Sequence, residues 1–168
     1  MDIRRGGPAD LPVVLGMLDG AVEWLSRNGR EGQWGTQPWS GDAARVERIS
    51  SLTRDDIVWI AEIDGRPAGA MTLGTTSPHY ITVDPGEPEV YVTLLVTDRA
   101  FGGHGVGAAL LDHARSEARA LGVRLLRVDC YAGGDGRLVA YYRRQGFSPV
   151  ESFSVGEWPG RLLSQRLD

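Results

Sequence analysis

The chain has 168 residues, a net charge of −4, 42% hydrophobic and 24% charged residues, the balance of a globular protein long enough to bury a substantial core. No basic tract appears, which argues against a nucleic-acid partner. No stretch reaches membrane-spanning length and MDIRRGGPAD lacks an apolar leader core, so the expectation is one domain over 1–168 in the cytoplasm, with no membrane partner.

Asp2–Arg5 is compatible with a short edge strand, and Gly7-Pro8-Ala9-Asp10 starts a helix. Leu11, Val14, Leu15, Leu18, Val22 and Leu25 fall on one helical face, and Arg27-Asn28-Gly29 stops it. Residues 30–40 are irregular and carry Trp34 and Trp39; a second helix follows over 42–52, with Ser40 or Gly41 near its cap. IVWIAEI at 57–63 is a strand, Asp64-Gly65 a hairpin turn, and 67–73 the return strand. A loop over 75–88 holds three prolines, His79 and Tyr80. Tyr91–Val96 has the composition of a buried strand. A helix from Val106 carries Val106, Leu110, His113, Ala114 and Leu121 on one face, and a strand follows over 123–130. The last elements are a helix over 137–145 closed by Gly146, and strands over 147–155 and 160–167. The order β-α-α-β-β-β-α-β-α-β-β predicts an α/β (α+β) fold with a mixed sheet, a hairpin or meander first and one parallel crossover later.

Between the strand ending near Val96 and the helix from Val106 lie four glycines in six positions, Gly102, Gly103, Gly105 and Gly107. The first amides of a helix have no intrahelical acceptor, and the dipole makes that end electropositive. Glycines leave those amides open to a phosphate. Gly103-His104-Gly105-Val106-Gly107-Ala108 also satisfies G-x-G-x-x-[GA], the outline of a dinucleotide site. That reading fails on context. A polar link separates the first glycine from the strand, only one β-α-β unit is present, and about 40 residues remain after it. All 18 basic residues are arginine, so a Schiff-base or Walker-type lysine is excluded.

Two motifs together resemble the GCN5-related N-acetyltransferase (GNAT) superfamily. The first is the family's Q/R-x-x-G-x-G/A turn, here Gly102-Gly103-His104-Gly105-Val106-Gly107, followed by Ala108. Gly102 stands where the family carries Gln or Arg, and Arg99 is a candidate to compensate. The second is N-x-x-A-x-x-L-Y-x-x-x-G-F, here running from Asp135 to Phe147, with Tyr142, Gly146 and Phe147 matching and Asp135 replacing Asn. The likeness is strong over 89–150 and architectural before that. It implies a GNAT-like acyl-CoA N-acyltransferase fold and a single N-acetyltransferase domain over 1–168. It also implies acetyl-CoA as acyl donor, a small-molecule primary amine as acceptor, direct attack in a ternary complex, and a homodimer. A non-catalytic acyl-CoA-binding or sensing module is the alternative.

By that resemblance, Leu95, Val96 and Thr97 present backbone groups to the pantetheine arm, and one amide polarises the thioester carbonyl. Gly102, Gly103, His104, Gly105, Val106, Gly107 and Ala108 hold the diphosphate, with Asp135 beside the cofactor. Tyr142 is the candidate general acid for the departing thiolate, while Tyr141, on another face, packs. Glu89 is the candidate base, set against a solvated strand-end charge; Glu87 and Tyr91 are fallbacks. Trp34, His79 and Tyr91 are candidate acceptor contacts, and Trp24 is expected in the core. No histidine pair has ligand spacing with a carboxylate, so no metal is expected. Cys130 ends a buried strand, where packing is favoured over an acyl-enzyme role.

Overall fold

A computed structural model describes residues 1–168. The seven strands are ordered β1-β2-β3-β4-β5-β7-β6. By contacts the chain divides into two compact units, Met1–Leu73 with Leu94–Leu110, and Gly74–Thr93 with Leu111–Asp168.

In the first unit, β1 (Asp2–Arg5) pairs antiparallel with β2 (Ile57–Ile63), which pairs antiparallel with β3 (Arg66–Gly74). The hairpin turn is where the sequence places it. Asp64 and Gly65 have φ of 51° and 74°, the paired left-handed residues that a tight hairpin needs. α1 (Leu11–Arg27) follows a 3-10 turn over Pro8–Asp10 and buries Val14, Met17, Leu18, Ala21, Val22 and Leu25. α2 (Ala43–Asp55) is capped by Asp42, not by Ser40 or Gly41 as the sequence reading has it. The Asp42 carboxylate accepts from the amides of Ala44 at 3.0 Å and Arg45 at 3.3 Å, satisfying two orphan donors. Val14, Leu18, Val22, Trp39, Ile49, Val58, Ile60, Ala70 and Val96 form the core of this unit.

β4 (Glu89–Thr97) and α3 (Val106–Ala120) contribute to both units. Gly69 on β3 fixes where α3 begins. A Cβ built there would lie 2.5 Å from Val106 Cγ1 and 3.1 Å from Leu110 Cδ1, so only a glycine lets the first turn of the helix approach the strand so closely.

In the second unit, β4 runs parallel to β5 (Leu125–Tyr131) in a register from Glu89↔Leu125 to Val92↔Val128. The expected parallel crossover is therefore present. β7 (Trp158–Arg166) pairs antiparallel with both β5 and β6 (Ser148–Val155). β6 is an exposed edge with a register shift at Pro149/Glu151, a device that discourages further pairing. Gly160 on β7 makes room for the Phe153 ring, whose Cζ would lie 2.3 Å from an added Cβ. α4 (Arg137–Arg144) ends as expected at Gly146, which has φ +95°. Leu121 departs from expectation: α3 stops at Ala120, and Leu121 is exposed in the turn after it. No helix is long and apolar enough to cross a membrane.

Candidate functional site

In the first unit the glycine turn is pinned at its start. The amide of Asp98 donates to Ala68 O on β3 at 2.8 Å, and the Asp98 carboxylate accepts from the Ala100 amide at 2.8 Å. That holds a 3-10 turn over Arg99–Phe101. Gly103 and Gly105 then adopt φ of +81° and +72°, with open space where a side chain would point. The first bond of α3 runs from the Ala109 amide to Gly105 O at 3.0 Å. The amides of Val106, Gly107 and Ala108 precede it and find no acceptor within the helix. A short run of open amides with no side chains in front of it suits an anion, and these residues fit a diphosphate. His104 is exposed, but its ring is turned back: Nδ1 lies 3.0 Å from Phe101 O and 3.2 Å from Gly102 O. On β4, Val96 is buried while Leu95 and Thr97 are half-buried.

In the second unit Tyr142 lies on α4, buried, with its ring edge-on to Phe147 at 5.7 Å and to Tyr141 at 5.4 Å. Burial, reinforced by the neighbouring Cys130, Tyr141 and Asp129, pushes its phenol well above the ordinary value. The proton therefore stays on the oxygen throughout the neutral range. Asp135 is exposed and serves α4: its carboxylate accepts from the Arg137 amide at 3.1 Å and from Arg137 Nε at 2.8 Å. The negative charge that replaces the usual Asn is thereby offset by Arg137.

The candidate base Glu89 is not the solvated strand-end charge that the sequence reading weighed against that role. It is 4% exposed, and its two carboxylate oxygens accept from Arg127 Nε and Nη2. Arg127, on β5, is itself 2% exposed. Its Nη1 donates to Val83 O at 2.8 Å, so the pair also ties down the loop over 75–88. Both oxygens are thus engaged by one guanidinium, and almost none of Glu89 reaches solvent. The fallback Glu87 is engaged as well, by Arg166 at 2.7 Å and 3.0 Å.

Tyr91, also a fallback, is fully buried, and its phenol donates to Asp129 Oδ2 at 2.6 Å. Burial first, and then the Asp129 charge, raise that phenol far above its ordinary value, so it keeps the proton that it donates to Asp129. Tyr80 donates to the same carboxylate at 3.1 Å. Its ring stacks on Phe153 at 5.7 Å and meets His79 edge-on at 5.6 Å. Asp129 thus gathers two phenols from residues 49 and 38 positions away. Sequence reasoning passed over Asp129, Tyr80 and Arg127. The available signal was alternation: Glu89 and Tyr91 share one face of β4, and Arg127 and Asp129 share the matching face of β5.

Trp34 is half-buried, edge-on to the buried Trp39 at 6.3 Å. Trp24, expected in the core, is only half-buried and carries the Arg99 guanidinium 3.8 Å from its ring centroid. Cys130 is buried, and burial pushes its thiol up to about 12, the opposite of an activated thiolate.

The mixed sheet with a parallel crossover entered through a glycine turn is a fold shared with solved acetyltransferase structures. The Acetyltransferase (GNAT) family model matches residues 20–147, and the chain belongs to this family as an N-acetyltransferase. It is 28% identical over 144 residues to YesJ of Bacillus subtilis (strain 168), an uncharacterized N-acetyltransferase, covering 82% of this chain and 76% of that one. It is 31% identical over 132 residues to the mycothiol acetyltransferase of Beutenbergia cavernae, covering 76% of this chain but only 41% of that protein. Among solved structures, yncA of Salmonella typhimurium, held with its cofactor acetyl-CoA, superposes with a TM-score of 0.65 at 19% identity, covering 100% of this chain and 94% of that one. Acetyltransferases of this fold use acetyl-CoA as donor.

Proposed function

We propose that the whole chain, residues 1–168, works as one cytoplasmic domain that acetylates a primary amine on a small molecule by direct attack in a ternary complex. The observation that carries this reading is the run of open amides at Val106, Gly107 and Ala108, reached through the left-handed Gly103 and Gly105. When bound, acetyl-CoA supplies an activated acetyl carbon and a thiolate leaving group.

Gly102 to Ala108 hold its diphosphate through backbone donors and the α3 dipole. The peptide groups of Leu95, Val96 and Thr97 pair with the pantetheine arm, like an added strand. The register of β4 with β5 extending only from Glu89 to Val92 supports that assignment. Tyr142, with its phenol kept protonated by burial, donates a hydrogen bond to the sulfur as charge develops there. Asp135 reaches the cofactor side only through the α4 start that it orders.

On the acceptor side, Asp129 takes the role first considered for Glu89. Its carboxylate, held by Tyr80 and Tyr91, takes the proton that the amine must lose to attack the thioester. Trp34 and His79 are the remaining acceptor contacts in this reading. A homodimer is the assembly it carries, which light scattering checks.

The test is release of free thiol from acetyl-CoA in the presence of a panel of small amines, amino acids and aminoglycosides, with the product identified by mass. Turnover on at least one small primary amine is expected. Tight acetyl-CoA binding with no thiol release on any amine would overturn it in favour of a binding module.

A further inference from the structure

We infer that Arg99, stacked on Trp24, is the side chain that grips the coenzyme A diphosphate; this rests on the reading of the glycine turn given above. Backbone donors alone leave a diphosphate's charge largely uncompensated, and a planar guanidinium matches phosphate geometry with paired N–H donors. Arg99 is the basic residue that opens the 3-10 turn leading into the glycines.

Three observations support it. First, a Cβ built at Gly102 would lie 3.8 Å from Arg99 Nη2 and 3.4 Å from Arg99 O. The guanidinium therefore stands beside the glycine turn, in the space next to where a side chain at Gly102 would begin. Second, the Trp24 ring centroid lies 3.8 Å from Arg99 Cζ, and Arg30 Cζ lies 5.5 Å from the same centroid. Two like charges thus share one indole, and neither has a carboxylate partner. An anion placed there relieves their repulsion. The indole also holds Arg99 in one orientation, so less rotamer freedom is lost on binding. Third, Asp98 fixes the backbone on both sides: its amide bonds Ala68 O, and its carboxylate bonds the Ala100 amide, each at 2.8 Å. The Asp98 carboxylate is spent on the turn and not on Arg99.

Isothermal titration with coenzyme A and with inorganic pyrophosphate, each at two salt concentrations, tests the inference on the intact chain. Arg99→Ala should weaken both ligands about tenfold, the equivalent of about 1.4 kcal/mol, and flatten the salt dependence. It should leave turnover of S-acetyl-N-acetylcysteamine, a thioester with no diphosphate, unchanged. Gly102 has φ −54°, which any residue adopts, so Arg99→Ala combined with Gly102→Arg should restore affinity by returning a guanidinium to the same place.

Wild-type affinity in Arg99→Ala would overturn the role of Arg99 and leave the glycine-turn reading standing. Loss of affinity that Gly102→Arg does not restore, together with loss of turnover on the truncated thioester, would show that Arg99 only shapes the turn. Failure of the wild-type chain to bind coenzyme A at all would remove the underlying reading instead.

Discussion

The glycine turn and the polar network on β4 and β5 solve opposite problems. The turn works through the backbone. Its open donors are amides, its conformation is set by left-handed Gly103 and Gly105, and Arg99 is the one side chain assigned to it. The network works through side chains. Glu89 meets Arg127, Asp129 meets Tyr80 and Tyr91, and Arg127 reaches back to Val83 O. Such a site depends first on its glycines and loses less when Arg99 is changed. A buried network tolerates almost no single change, because each member left behind becomes an unpaired polar group.

Four changes sharpen that contrast. The largest effect belongs to the network. Glu89→Ala strands the Arg127 guanidinium, both side chains being 3% exposed, and should cost about 3–5 kcal/mol of stability by urea unfolding. Replacing both residues with apolar ones of similar volume should recover most of that loss. If Glu89→Ala left stability unchanged, the pair would be an ornament and the contrast would fail.

Next comes Gly105→Val in the turn. A β-branched residue at φ +72° is strained wherever it sits. Coenzyme A affinity should fall roughly a hundredfold, about 2.7 kcal/mol, while the urea midpoint moves far less than it does in Glu89→Ala. An affinity equal to wild type would mean that the amides after Gly105 are not the binding group.

Tyr142→Phe removes one donor and little volume. Turnover should drop about tenfold or more with acetyl-CoA affinity nearly unchanged. Full turnover would take Tyr142 out of the chemistry.

The smallest effect is on the pH profile of stability. Burial holds the Tyr91 and Tyr142 phenols above their ordinary value of 10.0, and the Cys130 thiol above 9.0 at about 12. The native state therefore keeps protons that the unfolded chain would release. Their contribution is complete below pH 9, and it is lost as the pH rises through 9 and 10 towards the folded values. The urea midpoint should be flat from pH 7 to 9 and decline above that, with Cys130→Ser softening the onset. A midpoint that climbed above pH 9 would contradict the assigned burial.

Much of this was legible in the residues because it depends on local backbone chemistry. Asp64-Gly65 specifies its hairpin, Gly146 its helix end, and Gly103 and Gly105 their turn, each from neighbours within a few positions. The network was not legible, because its partners meet only through strand register. Glu89 looked like a strand-end charge because Arg127 lies 38 positions on, placed beside it by the parallel pairing of β4 with β5. Asp129 gave no sign of its importance, since Tyr80 reaches it from a loop whose path no periodicity predicts. The placement of β7 between β5 and β6 was likewise hidden, as strand order is a property of the assembled sheet.

That placement governs how the protein can be made. β7 is the last of the seven strands in chain order, yet it joins β5 on one edge and β6 on the other. Until Trp158–Arg166 emerges, both neighbours present raw edges, so folding of the second unit waits for that strand. A nascent chain stalled just before Trp158 would be a sticky intermediate in need of chaperone cover, whereas one from which Trp158–Arg166 has emerged would already have β5 and β6 joined.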